Sequence, residues 1–466
     1  MELSSTVFLV GLFPLLLIGC LCFRKNNTLC NALLLFISCI FYIWGGAGFA
    51  LLLFFVCLLV WTFTKLICSQ KNRPVLRRIA LFLAIALVST PLLLTKYTGF
   101  LVNTVNSLCG TNISVFAAFF PLGISFYTFQ AISLLVDLYT GKIDHKPSFI
   151  RVLFYLTFFP TVVSGPITRY NDLFSQINNQ KISGENLRVG ITRMVIGLSK
   201  KMLLANGLSV FADYAFTALE KGNQISAFGL WVGAFAYTMQ IYFDFSGYSD
   251  MAIGISRILG FRLQENFEHP YIASSIQDFW RRWHVSLSRW FRDYVYIPLG
   301  GSRVPALRHV LNLLCVWCFT GIWHGANWTF ILWGLFYFVL LVFEKYGGKV
   351  AKVLNGRVLG HIYTLFFVNL LWVFFRSASV GNAFRYIGGM FGYATCGNPI
   401  EIRFLRAIPF LVLCAVLCLP VLKVTDRWKG KGWYRLVETA VLVLLLTLSL
   451  GAVVNERYAP FIYGGF

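Results

Sequence analysis

Charge is scarce in this chain, and acidic charge is scarcest. Only 12% of the 466 residues are charged, and 18 acidic side chains face 40 basic ones. Soluble domains carry about 25% charged residues, so a water-facing globular surface is excluded. With 58% hydrophobic residues and a mean hydropathy of +0.71, the chain reads as an all-α, polytopic integral membrane protein. The net charge of +22 is accounted for by positively charged inside loops and anionic lipid headgroups. The basic residues are scattered over many short loops, which argues against nucleic-acid binding.

The familiar catalytic signatures are also missing. There is no G-x-S-x-G nucleophile elbow, no Walker loop and no dinucleotide fingerprint after a strand. The twelve cysteines form no disulfide framework, since most, such as Cys20, Cys39, Cys57, Cys414 and Cys418, lie in apolar runs. Cys315 and Cys318 have C-x-x-C spacing, but they sit at helical spacing in an apolar segment with no second pair. Small core residues explain them better than a zinc or redox site. No metal and no bound cofactor is expected. No internal repeat, linker or low-complexity tract interrupts the chain, so residues 1–466 are expected to form a single transmembrane domain.

What remains is a succession of apolar runs. Thr6–Phe23, Leu29–Ile43, Phe49–Thr64, Ile79–Leu94 and Ile113–Leu138 read as spans. Glu2 stands where a signal peptide needs a basic region, so the first is expected to be an uncleaved span. Phe149–Pro166 is broken by Pro160, Gly165 and Pro166, and is either a full span or a helix stopping inside the membrane. Arg188–Leu219 mixes interfacial with spanning character, and Ala227–Phe243 is a span. It ends beside Asp244 and Asp250, for which pairing with arginines is the plainest account. Leu311–Phe343 is too long for one span and is interrupted at GIWHGAN, which predicts two helices meeting at His324. Ile362–Phe375, Phe404–Val421 and Leu436–Val454 complete roughly ten to twelve spans. Basic loops at 65–78, 139–151 and 423–435 predict a cytoplasmic side, with both termini extracytoplasmic.

One stretch is neither span nor plain loop. From Ile276 to Tyr294, the residues Ile276, Phe279, Trp280, Trp283, Leu287, Trp290, Phe291 and Tyr294 recur at helical spacing. At about 100° per residue they make one face. Asp278, Arg281, Arg282, Arg289 and Arg292 make the other. This predicts one amphipathic helix in the membrane interface, rings toward lipid and guanidinium groups toward headgroups or an anionic ligand. His284 falls at the border of the two faces, where it is partly desolvated and within reach of a wet cavity.

Six histidines are present. His145 and His361 are expected at the surface, and His269 and His309 to be structural. His324 lies between Trp323 and Gly325 in mid-run. Burial disfavours an imidazolium, so it suits either a general base or a hydrogen-bonded core histidine. No second ligand accompanies it at metal spacing.

FFPTVVSGPITRY at 158–170, YFDFSGYSDMAIGISRILGF at 242–261, the NFEHPY and FWRRWHVSLSRWFRDYVYIPLGG segments at 266–301, GIWHGANWTFILWG at 321–334 and the terminal APFIYGGF together resemble the membrane-bound O-acyltransferase (MBOAT) family. They look most like its bacterial alginate O-acetyltransferase membrane-subunit branch. A similar FW…RWH…WFRDY pattern occurs in the D-alanyl transfer subunits of teichoic-acid modification. The motif-bearing core runs from about residue 120 to 345.

The resemblance implies a helical bundle with broken helices and interfacial helices around a central cavity. It implies transfer of an acyl group, acetyl above all, from a cytoplasmic thioester such as acetyl-CoA toward a cell-surface polysaccharide. It places the family's invariant histidine on His324 and its second histidine on His284. Trp280, Arg281, Arg282, Arg289, Trp323, Asn327 and Asp250 are the residues expected to bind donor or substrate. Expected partners are membrane lipids, the polysaccharide acceptor and an extracytoplasmic SGNH-hydrolase-like acetyltransferase. The expected location is the bacterial inner membrane. D-alanyl-type or other acyl transfer to a cell-wall polymer stands beside this reading, and so do two non-enzymatic ones. One is a transporter of lipid-linked sugar, which would more often show paired repeats. The other is a scaffold for an extracellular partner, which would need no histidine at membrane depth.

Overall fold

The computed structural model describes residues 2–114, 121–354, 356–392, 402–421, 427–428, 431–455 and 461–462. Among them all regular structure is helical and there is no strand. Among the described residues seven helices are long and apolar enough to cross a membrane, and three shorter apolar ones accompany them. The protein is a multi-pass membrane protein. The chain divides into two compact units.

The first unit comprises Met1–Met194 with Tyr248–Gln264. Its helices start and stop where the local chemistry dictates. Asn26 caps Asn27–Ile43 by accepting from the Thr28 and Leu29 amides, which satisfies two orphan donors. Pro74 opens Pro74–Cys109 and Gly110, at φ +66°, closes it, as the asymmetry of helix ends favours. The basic segment 65–78 is therefore mostly helix ends, with Gln70–Arg73 as the connection. Phe8, Phe41 and Phe159 meet with ring centroids 5.4–5.8 Å apart.

The 149–166 stretch is not a span. It forms two short helices, Phe149–Thr157 and Phe159–Val162, and every residue from 154 to 168 is buried. Irregular backbone at membrane depth survives only under such protein cover. Gly190 and Gly254 let two helices touch backbone to backbone: a Cβ on Gly254 would lie 2.6 Å from the Gly190 carbonyl oxygen. One turn away Asp250 accepts two bonds from Arg193, at 2.8 and 3.0 Å.

The second unit comprises Val195–Gly247 with Glu265–Ile462. Its five elements of interest are α1 (Ile276–Arg282), α2 (Val285–Phe291), α3 (Ala306–His324), α4 (Trp328–Tyr346) and α5 (Arg357–Arg376). The expected helix from Ile276 to Tyr294 is thus two helices, followed by a π-helical turn at Arg292–Tyr296. The break is at His284, which has φ +45° and ψ +53°. That left-handed conformation costs a non-glycine residue about 1–2 kcal/mol, and no helix passes through it.

The aromatic face does not lie on lipid either. Phe279, Trp280, Trp283 and Trp290 are all buried, packed on rings from neighbouring helices. Two devices fix the start of α1. Ser275 Oγ accepts from the Asp278 amide, and the Glu344 carboxylate of α4 accepts from the Ile276 and Gln277 amides at 2.6 and 3.0 Å. A carboxylate at a helix N-terminus completes orphan donors and complements the dipole.

The interruption at GIWHGAN appears where the sequence places it. α3 ends at His324 and α4 begins at Trp328, with Asn327 as its N-cap. Glycine makes the hairpin tight: Cβ atoms on Gly321 and Gly334 would lie 2.6 and 2.5 Å from the Phe330 and Trp317 carbonyl oxygens. Close backbones of this kind are how small residues join membrane helices. Elsewhere in this unit Asp244 pairs with Lys201, not with an arginine, and both side chains are at most 3% exposed. The Ile462 amide donates to the other Asp244 oxygen at 2.9 Å.

Candidate active site

His324 is 2% exposed at the foot of α3. The rings of Trp323, Trp333 and Phe375 stand around it, with centroids 4.9, 4.9 and 5.3 Å from its own. α4 and α5 supply two of these walls. Trp333 connects His324 to a larger aromatic box. Trp280, Trp317, Trp333 and Tyr337 all lie within 6.3 Å of one another, centroid to centroid. Edge-to-face geometry dominates, as ring quadrupoles favour.

Trp280 and Trp317 also line a cavity of about 700 Å³ between α1, α2, α3 and α4. Its wall carries four cationic side chains, Arg281, Arg289, Arg292 and Lys345, against the carboxylates Glu268 and Glu344. Glu344 is already committed to the start of α1. Arg292 in turn is paired with Asp293 at 2.7 Å, and the basic wall suits an anionic ligand with an apolar inner portion, since arginine forks match phosphate oxygens. His309, on the same wall, is held by tyrosines on both nitrogens: Tyr296 at 2.8 Å and Tyr346 at 2.7 Å.

His284 is fully buried rather than bordering a wet face. Its ring meets Phe245 edge-on at 4.7 Å and Trp323 at 6.1 Å. Trp323 therefore packs against both histidines. Asn266, also fully buried, holds His284 from below. Its side-chain oxygen accepts from the Ser286 amide at 3.2 Å, the Ser286 hydroxyl at 2.8 Å and His284 Nδ1 at 3.1 Å. The Ser286 amide can only donate, so the Asn266 atom is the carbonyl oxygen and His284 Nδ1 carries the proton. Nε2 is left with a lone pair. This segment lies outside the spanning helices, and burial pushes the His284 pKa down to about 3, which keeps the ring neutral.

The other sequence-selected residues are spread more widely. Arg281 and Arg289 line the cavity with Trp280. Arg282 is drawn back onto Asp278 at 3.0 Å, one turn earlier. Asn327 uses both polar atoms locally, accepting from the Thr329 amide and donating to the Ala378 carbonyl. Asp250 is held by Arg193 in the first unit. His361 is not fully at the surface. It lies in α5, half-buried, with Nδ1 3.0 Å from the Ala273 carbonyl. His145 stays exposed beside Asp144.

Sequence reasoning missed Asn266, Glu344, Trp317, Trp333 and Tyr337. A signal for the last three existed, because tryptophan prefers the membrane–water boundary. Trp317 and Trp333 in mid-span, with Tyr337 one turn on, mark rings turned inward.

The sequence profile of MBOAT, the membrane-bound O-acyltransferase family, matches residues 40–380. A Pseudomonas putida protein named probable alginate O-acetylase AlgI is 34% identical, with all of both chains covered. The Helicobacter pylori peptidoglycan O-acetyltransferase is 35% identical over 71% of this chain and 68% of its own. The Bacillus subtilis teichoic acid D-alanyltransferase is 31% identical over 53% of this chain and 66% of its own.

Proposed function

Since the chain belongs to the membrane-bound O-acyltransferase family and is an acyltransferase, we propose that it moves an acetyl group from a thioester to a hydroxyl, with His324 as general base. The donor is acetyl-CoA or another acyl thioester, its phosphates at Arg281, Arg289 and Arg292 and its acyl end directed toward Trp280. The hydroxyl gives its proton to His324 as its oxygen attacks the thioester carbon. The carbon–sulfur bond then breaks, the ester bond remains, and the proton passes to the departing thiolate. The rings of Trp323, Trp333 and Phe375 beside the buried His324 limit water, which would otherwise hydrolyse the thioester.

The observation that carries this reading is the continuity of the aromatic wall. Trp333 touches His324 and Trp280, and Trp280 lines the basic cavity. His284, proton on Nδ1 and lone pair on Nε2, is the positioning histidine of the pair, acting through Trp323. Arg282, Asn327 and Asp250 act at one remove, by holding Asp278, the start of α4 and Arg193.

The final acceptor is a cell-surface polysaccharide. The relatives with the highest identity and widest coverage carry alginate and peptidoglycan O-acetylation in their names, whereas two D-alanyltransferases match 53% and 66% of this chain at 31% and 28% identity. An extracytoplasmic SGNH-hydrolase-like partner completes the transfer. The protein sits in the bacterial inner membrane, with the connections around 65–78 and 423–435 in the cytoplasm and both termini outside. Parts of the second connection and of the C-terminus lie outside the described residues.

The direct test is acetyl transfer from labelled acetyl-CoA by the purified protein with its partner, comparing wild type with His324→Gln. Glutamine can hold a hydrogen bond but is no base near pH 7. Loss of transfer in a folded variant is expected; near-normal transfer would reject the assignment. For orientation, an impermeant thiol reagent applied to intact cells should leave cysteines engineered at residues 70–73 unmodified, and modification there would invert the topology.

A further inference from the structure

Three hydrogen-bond donors in the aromatic box have nothing to donate to. The indole nitrogens of Trp280 and Trp333 and the hydroxyl of Tyr337 are buried, with no partner among the described residues. Their rings are mutual neighbours, at 5.5 Å for Trp280–Trp333, 4.9 Å for Trp280–Tyr337 and 5.1 Å for Trp333–Tyr337. Trp333 and Tyr337 are fully buried, and Trp280 is 8% exposed. A buried donor left unmade costs its full desolvation, and such groups are rare in folded proteins. Edge-on π faces offer these donors only weak, second-order acceptance.

The chemistry of the donors narrows what would satisfy them. An indole N–H donates and cannot accept. Two of them on one box call for an acceptor atom. The box also stands between two features already described. Trp280 faces the basic cavity, and Trp333 stands 4.9 Å from His324, ring to ring. A thioester reaching from the cavity to His324 brings one acceptor to this place, its carbonyl oxygen.

We propose that Trp333 is a further catalytic residue, whose indole N–H holds the carbonyl oxygen of the acyl donor, with Trp280 and Tyr337 completing the donor set. The proposal rests on the reading of His324 as the base. As the acceptor oxygen bonds to the thioester carbon, the carbonyl electron pair moves onto oxygen. The oxyanion is held by the waiting N–H, while the hydroxyl proton sits on His324. The carbonyl then reforms, the carbon–sulfur bond breaks, and the thiolate leaves with the proton. The donors are in place before the charge develops, which is what makes such groups effective in a dry site.

The experiment compares four forms of the full-length protein in acetyl transfer from acetyl-CoA: wild type, Trp333→Phe, Tyr337→Phe, and a form with 3-benzothienylalanine at 333. The last keeps the indole shape and replaces N–H by sulfur, so its fold is undisturbed. His324→Gln is run in parallel, and rates are normalised to folded protein by its melting transition. We expect the benzothienyl form to lose on the order of 100-fold in kcat, as removal of one oxyanion donor does, with KM within about threefold and an unchanged Tm. Trp333→Phe should match it in kcat, and Tyr337→Phe should lose less. Retained kcat in the benzothienyl form, while His324→Gln is dead, overturns the proposal and leaves the base intact. A raised KM at unchanged kcat overturns it in favour of simple binding. If His324→Gln itself turns over normally, the reading of the whole site falls, and this proposal with it.

Discussion

Asn266→Ala is the most informative single perturbation of the second histidine. In the wild type one buried carbonyl oxygen receives His284 Nδ1–H, the Ser286 amide and the Ser286 hydroxyl. The hydroxyl can rotate to another acceptor. The other two donors are fixed by a ring and by the backbone, and Asn266 is fully buried, so water does not replace it. Each stranded donor costs about 1–3 kcal/mol, and the pair about 4 kcal/mol. The Val285 amide bond to the Asn266 backbone carbonyl, 3.0 Å, survives the substitution and limits the collapse. The variant should unfold at distinctly lower temperature in detergent. Among the molecules that remain folded, turnover should drop at least about tenfold, roughly 1.4 kcal/mol of barrier, because the imidazole loses the bond that fixes its proton on Nδ1. Thermal unfolding and specific activity on one preparation give both numbers. Stability within about 1 kcal/mol of wild type, with unchanged turnover, would refute the tautomer argument.

His284→Asn is a cleaner probe than alanine, since asparagine tolerates the left-handed backbone that alanine resists. It should keep the melting temperature within a few degrees and lose about tenfold in turnover, and full turnover would end the two-histidine arrangement. The pH dependence has a definite sign. The native His284 stays neutral down to about pH 3, while the unfolded chain takes up the proton below about 6.5. Stability from this residue is complete above pH 6.5 and falls by about 1.4 kcal/mol per unit below it, a slope His284→Asn should remove between pH 6.5 and 5. Glu344→Ala strands the Ile276 and Gln277 amides and loosens the cavity wall, so KM for acetyl-CoA should rise several-fold; an unchanged KM would dissociate α1 from donor binding. Lys201→Met and Asp244→Asn should each cost about 3–5 kcal/mol, because either leaves a buried unpaired charge or a broken network, and singles within about 1 kcal/mol of wild type would show that the pair is hydrated.

Some of this molecule could be read from residue order, and the reasons differ by element. The His324 break was legible because two glycines and an asparagine interrupt an apolar run longer than a bilayer needs. The α1–α2 break was not. Periodicity records which face a side chain takes, and both helices keep the apolar pattern on either side of the break. It carries no record of a single residue with positive φ, and the residue there is a histidine rather than the glycine that would have signalled it. The aromatic box escaped notice because Trp317, Trp333 and Tyr337 come from two spans whose register is set by Gly321 and Gly334, a tertiary fact. Asn266 was invisible for the same reason: its partners lie 18 and 20 residues away, across a bend. The pairing of Asp250 with an arginine was anticipated from cost alone, whereas Asp244 found a lysine.

The carboxylate that caps α1 arrives late. Glu344 is 68 residues downstream of the amide it receives from Ile276, and at about 5–20 residues per second synthesis needs roughly 3–14 s to deliver it. Through that interval the first turn of α1 has Ser275 but not its carboxylate, and Arg281 has no settled wall to belong to. The donor cavity is therefore a product of the order in which spans enter the bilayer. A nascent chain stalled before residue 344 lacks the carboxylate that receives the Ile276 and Gln277 amides, and the side of the pocket built on α1 stays unanchored.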